Sequence, residues 1–207
     1  GEKLLKLEQR LGYVHKGIER LFAQTPLTDG HRLAARVSGD SAVAYSWAYC
    51  QAVEGIARTA VPARAVWLRA LALESERIAN HLGDLGALGN DAGFAFGLAQ
   101  FSRLKELWLR ALRATLGQRY LLDFVVPGGV ACDASRDGLD ALAACAQSIA
   151  AETALVRAIY DEHSGVRDRF VDAGTLKPEL AKRLGVIGLA GRASGRVGTP
   201  PHPDDRS

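Results

Sequence analysis

The titratable side chains best placed to do chemistry together lie on one predicted helix. Glu74, Glu76 and His81 are close in the sequence, and Glu74 and His81 are seven residues apart. That spacing places both side chains on one face of a helix, as a metal site in a helical bundle would require. The Glu-x-x-His motif of di-iron bundles is missing, however, because Ile78 stands three residues before His81. Solvated or packed side chains are therefore the better interpretation.

Two other patterns have ordinary structural explanations. Tyr45, Trp47 and Tyr49 form an aromatic cluster in the sequence, but only Tyr45 and Tyr49 share a helical face. Core packing explains them more simply than a cofactor site does. The glycine-rich stretch 185–198 lacks the strand–GxGxxG–helix arrangement of a dinucleotide site.

Composition excludes several classes of protein. The 207 residues are 48% apolar and 24% charged, which is typical of a globular protein, and the net charge of +3 does not favour nucleic acid as a partner. Cys50, Cys132 and Cys145 are far apart and odd in number, which disfavours a disulfide framework and predicts a reducing, cytosolic setting. The most apolar run, 42–61, is interrupted by charged residues, so we predict no membrane-spanning segment.

The elements that position these residues are predicted to be mainly helical. Apolar periodicity predicts long helices at about 41–58, 62–88, 93–116 and 135–163, with short ones at 17–24 and 178–184. A strand is predicted at Glu2–Val14, and an extended run at 120–126 precedes a turn at Pro127.

We therefore predict a mainly α protein, a bundle of about four long helices with a small N-terminal β element. It is expected to be a single domain, 1–207, with the β element at 1–16, a helical core at 17–184 and a mobile Gly- and Pro-rich tail at 185–207. Methionine is missing even at position 1, so we expect a piece of a longer polypeptide.

Five strings, in order along the chain, carry a resemblance to a known family. They are LGYVHKGIE at 11–19, AYCQAVE at 48–54, ERIANHLGD at 76–84, VPGGV at 126–130 and RASG at 192–195. The chain thereby resembles the family that joins nickel–iron (NiFe) hydrogenase large subunits to the 49-kDa subunit of respiratory complex I. The resemblance is strongest to group 4, membrane-bound hydrogenases, and it implies a fragment of a NiFe hydrogenase large-subunit-like fold.

The active-site motif departs from the hydrogenase pattern. Hydrogenases of this family carry Arg-x-Cys-Gly-x-Cys-x-x-x-His, whereas this chain has Arg36, Ser38, Gly39, Ser41 and Tyr45 at the matching positions. Nickel and low-spin iron need thiolates, and a serine hydroxyl is a hard ligand that keeps its proton at neutral pH. A NiFe centre is therefore not expected, and we expect this chain itself to bind no cofactor.

The complex I pattern is altered as well. That branch has a quinone-binding tyrosine three residues after the motif arginine, the position of Gly39 here. Tyr45, one helical turn beyond Ser41, is expected to face the same cavity. By resemblance, Ser38, Gly39, Ser41 and Tyr45 line that cavity, and quinone remains a candidate ligand.

Three other motif residues carry roles over from the family. Arg36 matches an arginine near the terminal iron–sulfur cluster of the partner subunit, where a fixed positive charge stabilises the reduced cluster. His81 matches a histidine that faces the same cluster and can titrate near physiological pH. Glu19 matches a glutamate that passes protons to the active cavity. Each residue alone has a plain alternative: a surface arginine, a packed histidine and a solvated glutamate.

The resemblance implies a subunit of a membrane-associated oxidoreductase, of complex-I-like NADH:quinone or group 4 hydrogenase type. Its expected partners are an iron–sulfur small subunit, which would hold a 4Fe–4S cluster, and membrane-arm subunits, with no nucleic acid. It would lie peripherally on the cytoplasmic side of the cell membrane. The alternative is a non-catalytic coupling subunit on the same scaffold that has lost the NiFe centre.

Overall fold

The secondary structure of this computed structural model, which describes residues 5–6 and 8–195, is almost entirely helical. The helices are α1 (Ile18–Gln24), α2 (Gly30–Ala34), α3 (Ala42–Ala57), α4 (Ala63–Asp91), α5 (Ala95–Leu116), α6 (Arg136–Glu162), α7 (Ser164–Phe170), α8 (Pro178–Arg183) and α9 (Gly188–Ala193). Two short strands, β1 (Val125–Val126) and β2 (Gly129–Val130), lie between α5 and α6. The mainly α prediction and the positions of the four long helices are confirmed.

The chain divides into two compact units, Gly1–Ala158 and Ile159–Ser207. In the first unit, α4 and α5 form the most extensive helix pair, joined by a short connection at 92–94. Phe101, Leu104, Trp108 and Leu112 are buried along one face of α5, at the spacing of three and four residues that the sequence predicts. The indole N–H of Trp108 donates to the carbonyl oxygen of Ser75 on α4 at 2.9 Å, so the large aromatic side chain is buried with its polar group satisfied.

The two strands form a tight antiparallel hairpin. Val125 pairs with Val130 and Val126 with Gly129. Pro127 and Gly128 make the turn, and Gly128 has a φ of 83°, a left-handed conformation that glycine adopts without strain. The turn predicted at Pro127 is therefore confirmed, with strands of two residues on either side of it.

The predicted N-terminal strand is not formed in the part of it that the structure describes. Residues 5–6 and 8–16 have no strand conformation, and Leu5 and Leu11 are more than 90% exposed. A strand needs a neighbour to bond its backbone, and the described residues provide none there. The small sheet of the fold is the 125–130 hairpin instead.

The C-terminal prediction also needs correction. Residues 188–193 form α9 where the sequence predicted a mobile tail, and the tail from 196 onward lies outside the described residues.

The fourth long helix stops at Glu162, because His163 takes extended backbone angles and its Nδ1 accepts the N–H of Val166 to begin α7. Within the second unit, Val166 and Ala181 are buried.

Helix α6 is long and apolar enough to cross a membrane, by length and composition only, although the sequence predicted no membrane-spanning segment. It has 27 residues, and only 17% of its most apolar window is buried in the structure. Its buried residues, Leu142, Ile149 and Val156, lie seven apart on one face, and much of the remaining surface is alanine. The many alanines raise the mean hydropathy of the helix, although it has no continuous run of large apolar side chains. One helix of this kind is weak support for a membrane span.

Candidate functional site

The loop that carries the altered motif, Ser38–Ser41, connects α2 to α3 and is held at several points. The ammonium group of Lys16 donates to the carbonyl oxygen of Val37 at 3.0 Å. The side-chain amide of Asn80, on α4, donates to the carbonyl oxygen of Asp40. Residues distant in the sequence therefore fix the backbone on both sides of Gly39.

Arg36, immediately before this loop, forms a two-pronged ion pair with Asp123. Its Nη1 lies 2.6 Å from Oδ1 and its Nη2 2.9 Å from Oδ2, and Nη1 also donates to the carbonyl oxygen of Arg32 at 2.7 Å. These hydrogen bonds from Arg36 hold the pKa of Asp123 below its usual range. The Arg36 side chain remains 49% exposed. The sequence gives no sign of the pairing with Asp123, because the two residues are 87 positions apart.

Glu76 reaches from the middle of α4 to the first turn of α3. Its carboxylate accepts the backbone N–H of Val43 at 2.6 Å and that of Ala44 at 3.3 Å. Ser41, at the N-cap position, makes no side-chain cap hydrogen bond, so Glu76 takes over the cap. Burial raises the pKa of Glu76, and the nearby negative charge of Asp40 raises it as well. The backbone N–H donors act in the opposite direction and lower this pKa. From the sequence, Glu76 is a candidate metal ligand or, as the better interpretation, a solvated or packed side chain; its role as a helix cap is not visible there.

A small cavity of about 60 Å³ lies between this loop, α4, α5 and the segment after α5. Asp40, Glu76, Lys105 and Arg119 line it together with Gly39 and several apolar side chains. Arg119 is paired with Glu106. Lys105 makes no ion pair among the residues that the structure describes, and its ammonium lies against Gly83, where an added Cβ would come within 2.7 Å of it. The cavity is therefore small, and charged side chains of both signs share its lining with apolar ones.

The structure separates the predicted site residues. Gly39 lines this cavity, whereas His81 lines a second, mostly apolar cavity of about 230 Å³ between α4 and α6, with Leu82, Leu85 and Ile149. Glu19 is exposed in the first turn of α1, and Tyr45 is 45% exposed in the first turn of α3. Arg36, Ser38, Gly39 and Ser41 are brought together by the loop alone, and His81 faces elsewhere.

A buried ion pair joins two of the strings that carry the family resemblance. Arg69, 1% exposed, donates to both carboxylate oxygens of Glu54, 8% exposed, at 3.1 and 2.6 Å. The guanidinium also donates to the carbonyl oxygens of Val126 and Gly129, at 2.7 and 3.0 Å. Glu54 in turn accepts the N–H of Gly128 at 2.7 Å. AYCQAVE on α3 and VPGGV in the hairpin therefore meet at one arginine of α4.

The donor groups near the loop do not fit a NiFe centre. Ser38 and Ser41 offer hydroxyl oxygens where thiolates are needed. Cys50 is buried on α3, and burial raises its thiol pKa to about 11, which disfavours the thiolate that a metal would bind. Across residues 5–6 and 8–195, no three His, Cys, Asp or Glu side chains form a group that could hold a metal ion.

The five ordered strings predict a member of the hydrogenase and complex I lineage, and the mainly helical scaffold agrees with that prediction. The chain belongs to the family described as respiratory-chain NADH dehydrogenase, 49 Kd subunit, whose family model matches residues 91–197.

Individual relatives come from both branches of that lineage. Formate hydrogenlyase subunit 5 of Escherichia coli (strain K12) is 32% identical over 199 residues, which are 95% of this chain and 35% of that protein. A subunit of the NADH-quinone oxidoreductase of Helicobacter pylori (strain Shi470) is 25% identical over 195 residues, 94% of this chain and 48% of that protein. The resemblance inferred from the five strings is thereby confirmed.

A solved structure supports the fold. The structure of the membrane-bound sulfane sulfur reductase, an archaeal respiratory membrane complex, contains a chain that superimposes with a TM-score of 0.82 and 23% identity. The match covers 88% of this chain and 49% of that one. The chain thus spans about a third to a half of the length of these proteins.

Proposed function

We propose that this chain is part of a subunit of a membrane-associated, multi-subunit oxidoreductase of the complex-I-like or group 4 hydrogenase-like type. The observation that carries the proposal is the similarity, over 94–95% of the chain, to subunits named for formate hydrogenlyase and for NADH-quinone oxidoreductase. The partners proposed are an iron–sulfur small subunit and membrane-arm subunits. The proposed location is peripheral, on the cytoplasmic side of the membrane.

The surface around Arg36 is proposed to face the terminal iron–sulfur cluster of the partner subunit. Arg36 keeps about half of its side chain exposed even while paired with Asp123, so its charge is accessible to a docked subunit. Because a guanidinium is always protonated, it would favour the reduced, more negative state of a nearby cluster. His81 and Glu19 are proposed to carry protons, on the basis of family resemblance and of their exposed positions.

The size of the loop cavity limits which electron acceptor this chain can enclose by itself. The loop cavity measures about 60 Å³, well below the roughly 300 Å³ of the smallest usual ligand pockets. A quinone would therefore need walls from beyond this chain, with Ser38, Gly39, Ser41 and Tyr45 contributing one side. NiFe chemistry has no role in the proposal, since the donor set does not fit it.

The test is a redox titration of the terminal cluster in the full-length subunit purified with its iron–sulfur partner. Arg36→Met should lower the cluster's midpoint potential, because a positive charge that stabilises the reduced state is lost. Asp123→Asn breaks the same ion pair but keeps the arginine charge, so it should not lower the potential. Arg77→Met, which removes an exposed arginine of α4 paired with Glu74, is the matched control. An unchanged potential in Arg36→Met, with the cluster intact, contradicts the proposal.

The second candidate function is that of a non-catalytic coupling subunit on the same scaffold. The observation that favours it is the replacement of both thiolate positions by Ser38 and Ser41 and of the quinone tyrosine by Gly39. A triple variant with alanine at Ser38, Ser41 and Tyr45 separates the two functions. Unchanged electron transfer and ion transport support the coupling role, whereas lost electron transfer in an intact complex supports the first proposal.

A further inference from the structure

The N-terminus of α3 depends on a carboxylate from a different helix. The first N–H groups of a helix have no partner within it and are commonly capped by the residue just before the helix. Here Ser41 makes no such bond, and Glu76, 33 positions from Val43, accepts two of these N–H groups. The same helix fixes the preceding loop through Asn80 and Asp40. One face of α4 thus holds both α3 and the Ser38–Ser41 loop.

This carboxylate is also easier to protonate than an exposed glutamate. Burial disfavours its ionised form and raises its pKa, and the carboxylate of Asp40 acts in the same direction. The cations that face the cavity are Lys105, from α5, and Arg119, from the segment after α5. Arg119 is already paired with Glu106. The cavity of about 60 Å³ exceeds the roughly 15 Å³ that one water needs, so it has room for water beside Glu76.

We propose that Glu76 is a protonation-dependent latch that holds the first turn of α3, next to the Ser38–Ser41 loop, when ionised and loosens that turn when it takes up a proton. In the ionised state, the helix N-terminus and its N–H donors bind a full negative charge. The proton comes from hydronium in the solvent, which becomes water, and binds one Oε atom, which then becomes a donor. The carboxyl group loses its charge, and the charge-assisted hydrogen bonds of Val43 and Ala44 weaken.

This inference rests on the proposed function in one respect: the helix turn that loosens directly follows the loop that carries the altered motif. In such a subunit, proton uptake at Glu76 would loosen the end of that loop, at Ser41, where α3 begins. Glu76 would act as a positioning residue, since it touches the backbone of α3 and no substrate. The latch itself is a property of this chain and can be measured without turnover.

The test is amide hydrogen exchange of residues 38–45 in the full-length subunit within its complex, measured from about pH 4 to pH 8 and expressed as protection relative to unstructured peptides. In the wild type, protection should fall roughly fivefold to tenfold as pH decreases through the pKa of Glu76, the loss expected for a helix cap. Glu76→Gln keeps one acceptor oxygen without the charge, so its protection should be low and independent of pH. Glu74→Gln, an exposed glutamate of the same helix, should behave like the wild type.

A second variant tests the assignment even if Glu76→Gln fails to assemble. Asp40→Asn removes the neighbouring negative charge that raises the pKa of Glu76, so the transition should move to lower pH. Protection that does not depend on pH in the wild type overturns the latch, as does a transition that persists in Glu76→Gln or does not move in Asp40→Asn. Failure of the cluster-potential test on Arg36 would instead overturn the proposed function and leave this result unaffected.

Discussion

Removing the guanidinium of Arg69 should destabilise the protein more than any other single change at an arginine of α4. Arg69→Met keeps the apolar stem of the side chain but leaves the buried carboxylate of Glu54 without its cation. It also removes the donors to the carbonyl oxygens of Val126 and Gly129. Breaking one side of a buried ion pair costs about 3–5 kcal/mol, and we expect a loss of unfolding free energy in that range.

The assay is equilibrium urea unfolding of the full-length subunit, followed by tryptophan fluorescence, to which buried Trp108 contributes. Glu54→Gln retains an oxygen that can accept the N–H of Gly128, and the double variant Glu54→Gln/Arg69→Met no longer contains either buried charge. The double variant should therefore lose at least about 2 kcal/mol less than the sum of the single losses. Arg77→Met, at an exposed ion pair on the same helix, should change stability by less than about 1 kcal/mol.

The pH dependence provides an independent check. Hydrogen bonds from Arg69 lower the pKa of Glu54, so the ionised pair stabilises the fold above the ordinary carboxyl pKa, and this contribution is lost as pH falls through the lowered value. The stability difference between wild type and Arg69→Met should therefore be largest near neutral pH and shrink below about pH 4. A loss under about 1 kcal/mol at neutral pH, or strictly additive single losses, would refute the reasoning.

Three further predictions follow from single contacts. Gly30→Ala places a Cβ 2.1 Å from the hydroxyl oxygen of Tyr49, so it should cost about 1–3 kcal/mol in urea unfolding; in a Tyr49→Ala background the same change should cost much less. Ser75→Ala should be neutral or stabilise by up to about 1 kcal/mol in the same assay, because the buried Ser75 hydroxyl has no hydrogen-bond partner within the described residues; a loss above that size would contradict this explanation. Iodoacetamide at about pH 8, followed by mass spectrometry, should label exposed Cys132 well before Cys50. Cys50 is buried and has a pKa of about 11, so only about one Cys50 thiol in a thousand is ionised at that pH. Equal labelling rates would show that Cys50 is accessible.

The sequence predicted the long helices well because their signals are local. Apolar spacing on α5 gives its buried face, Gly117 ends the helix in a left-handed conformation, and Pro127-Gly128 specifies the hairpin turn. Each of these features follows from residues a few positions apart. The N-terminal strand failed for the complementary reason: alternation in the sequence indicates a half-buried strand, but no described neighbour provides the hydrogen bonds.

The candidate site could be predicted only in part because its decisive contacts join distant residues. The altered motif at Ser38–Ser41 is visible in the sequence, and the loop it forms does line a cavity through Gly39. Glu76 capping α3, and Asp123 pairing with Arg36, depend on how helices pack and have no local signal. His81 lies on the side of α4 that faces α6. Its seven-residue spacing from Glu74 shows that the two residues share a helix face, but not whether that face packs against α6 or against the loop.

The way the hairpin is attached has a consequence for the order in which the chain folds. The contacts described for segment 120–134 run mostly to residues far back in the sequence: Arg36 is 87 positions from Asp123, Glu54 is 74 from Gly128, and Arg64 is 69 from Asp133. Closing such long loops costs entropy before any contact forms, whereas α4 and α5 can pair across a connection of a few residues. We therefore expect the α4–α5 pair to assemble early and segment 120–134 to dock late, after α3 and α4 have positioned the charged side chains that bind it.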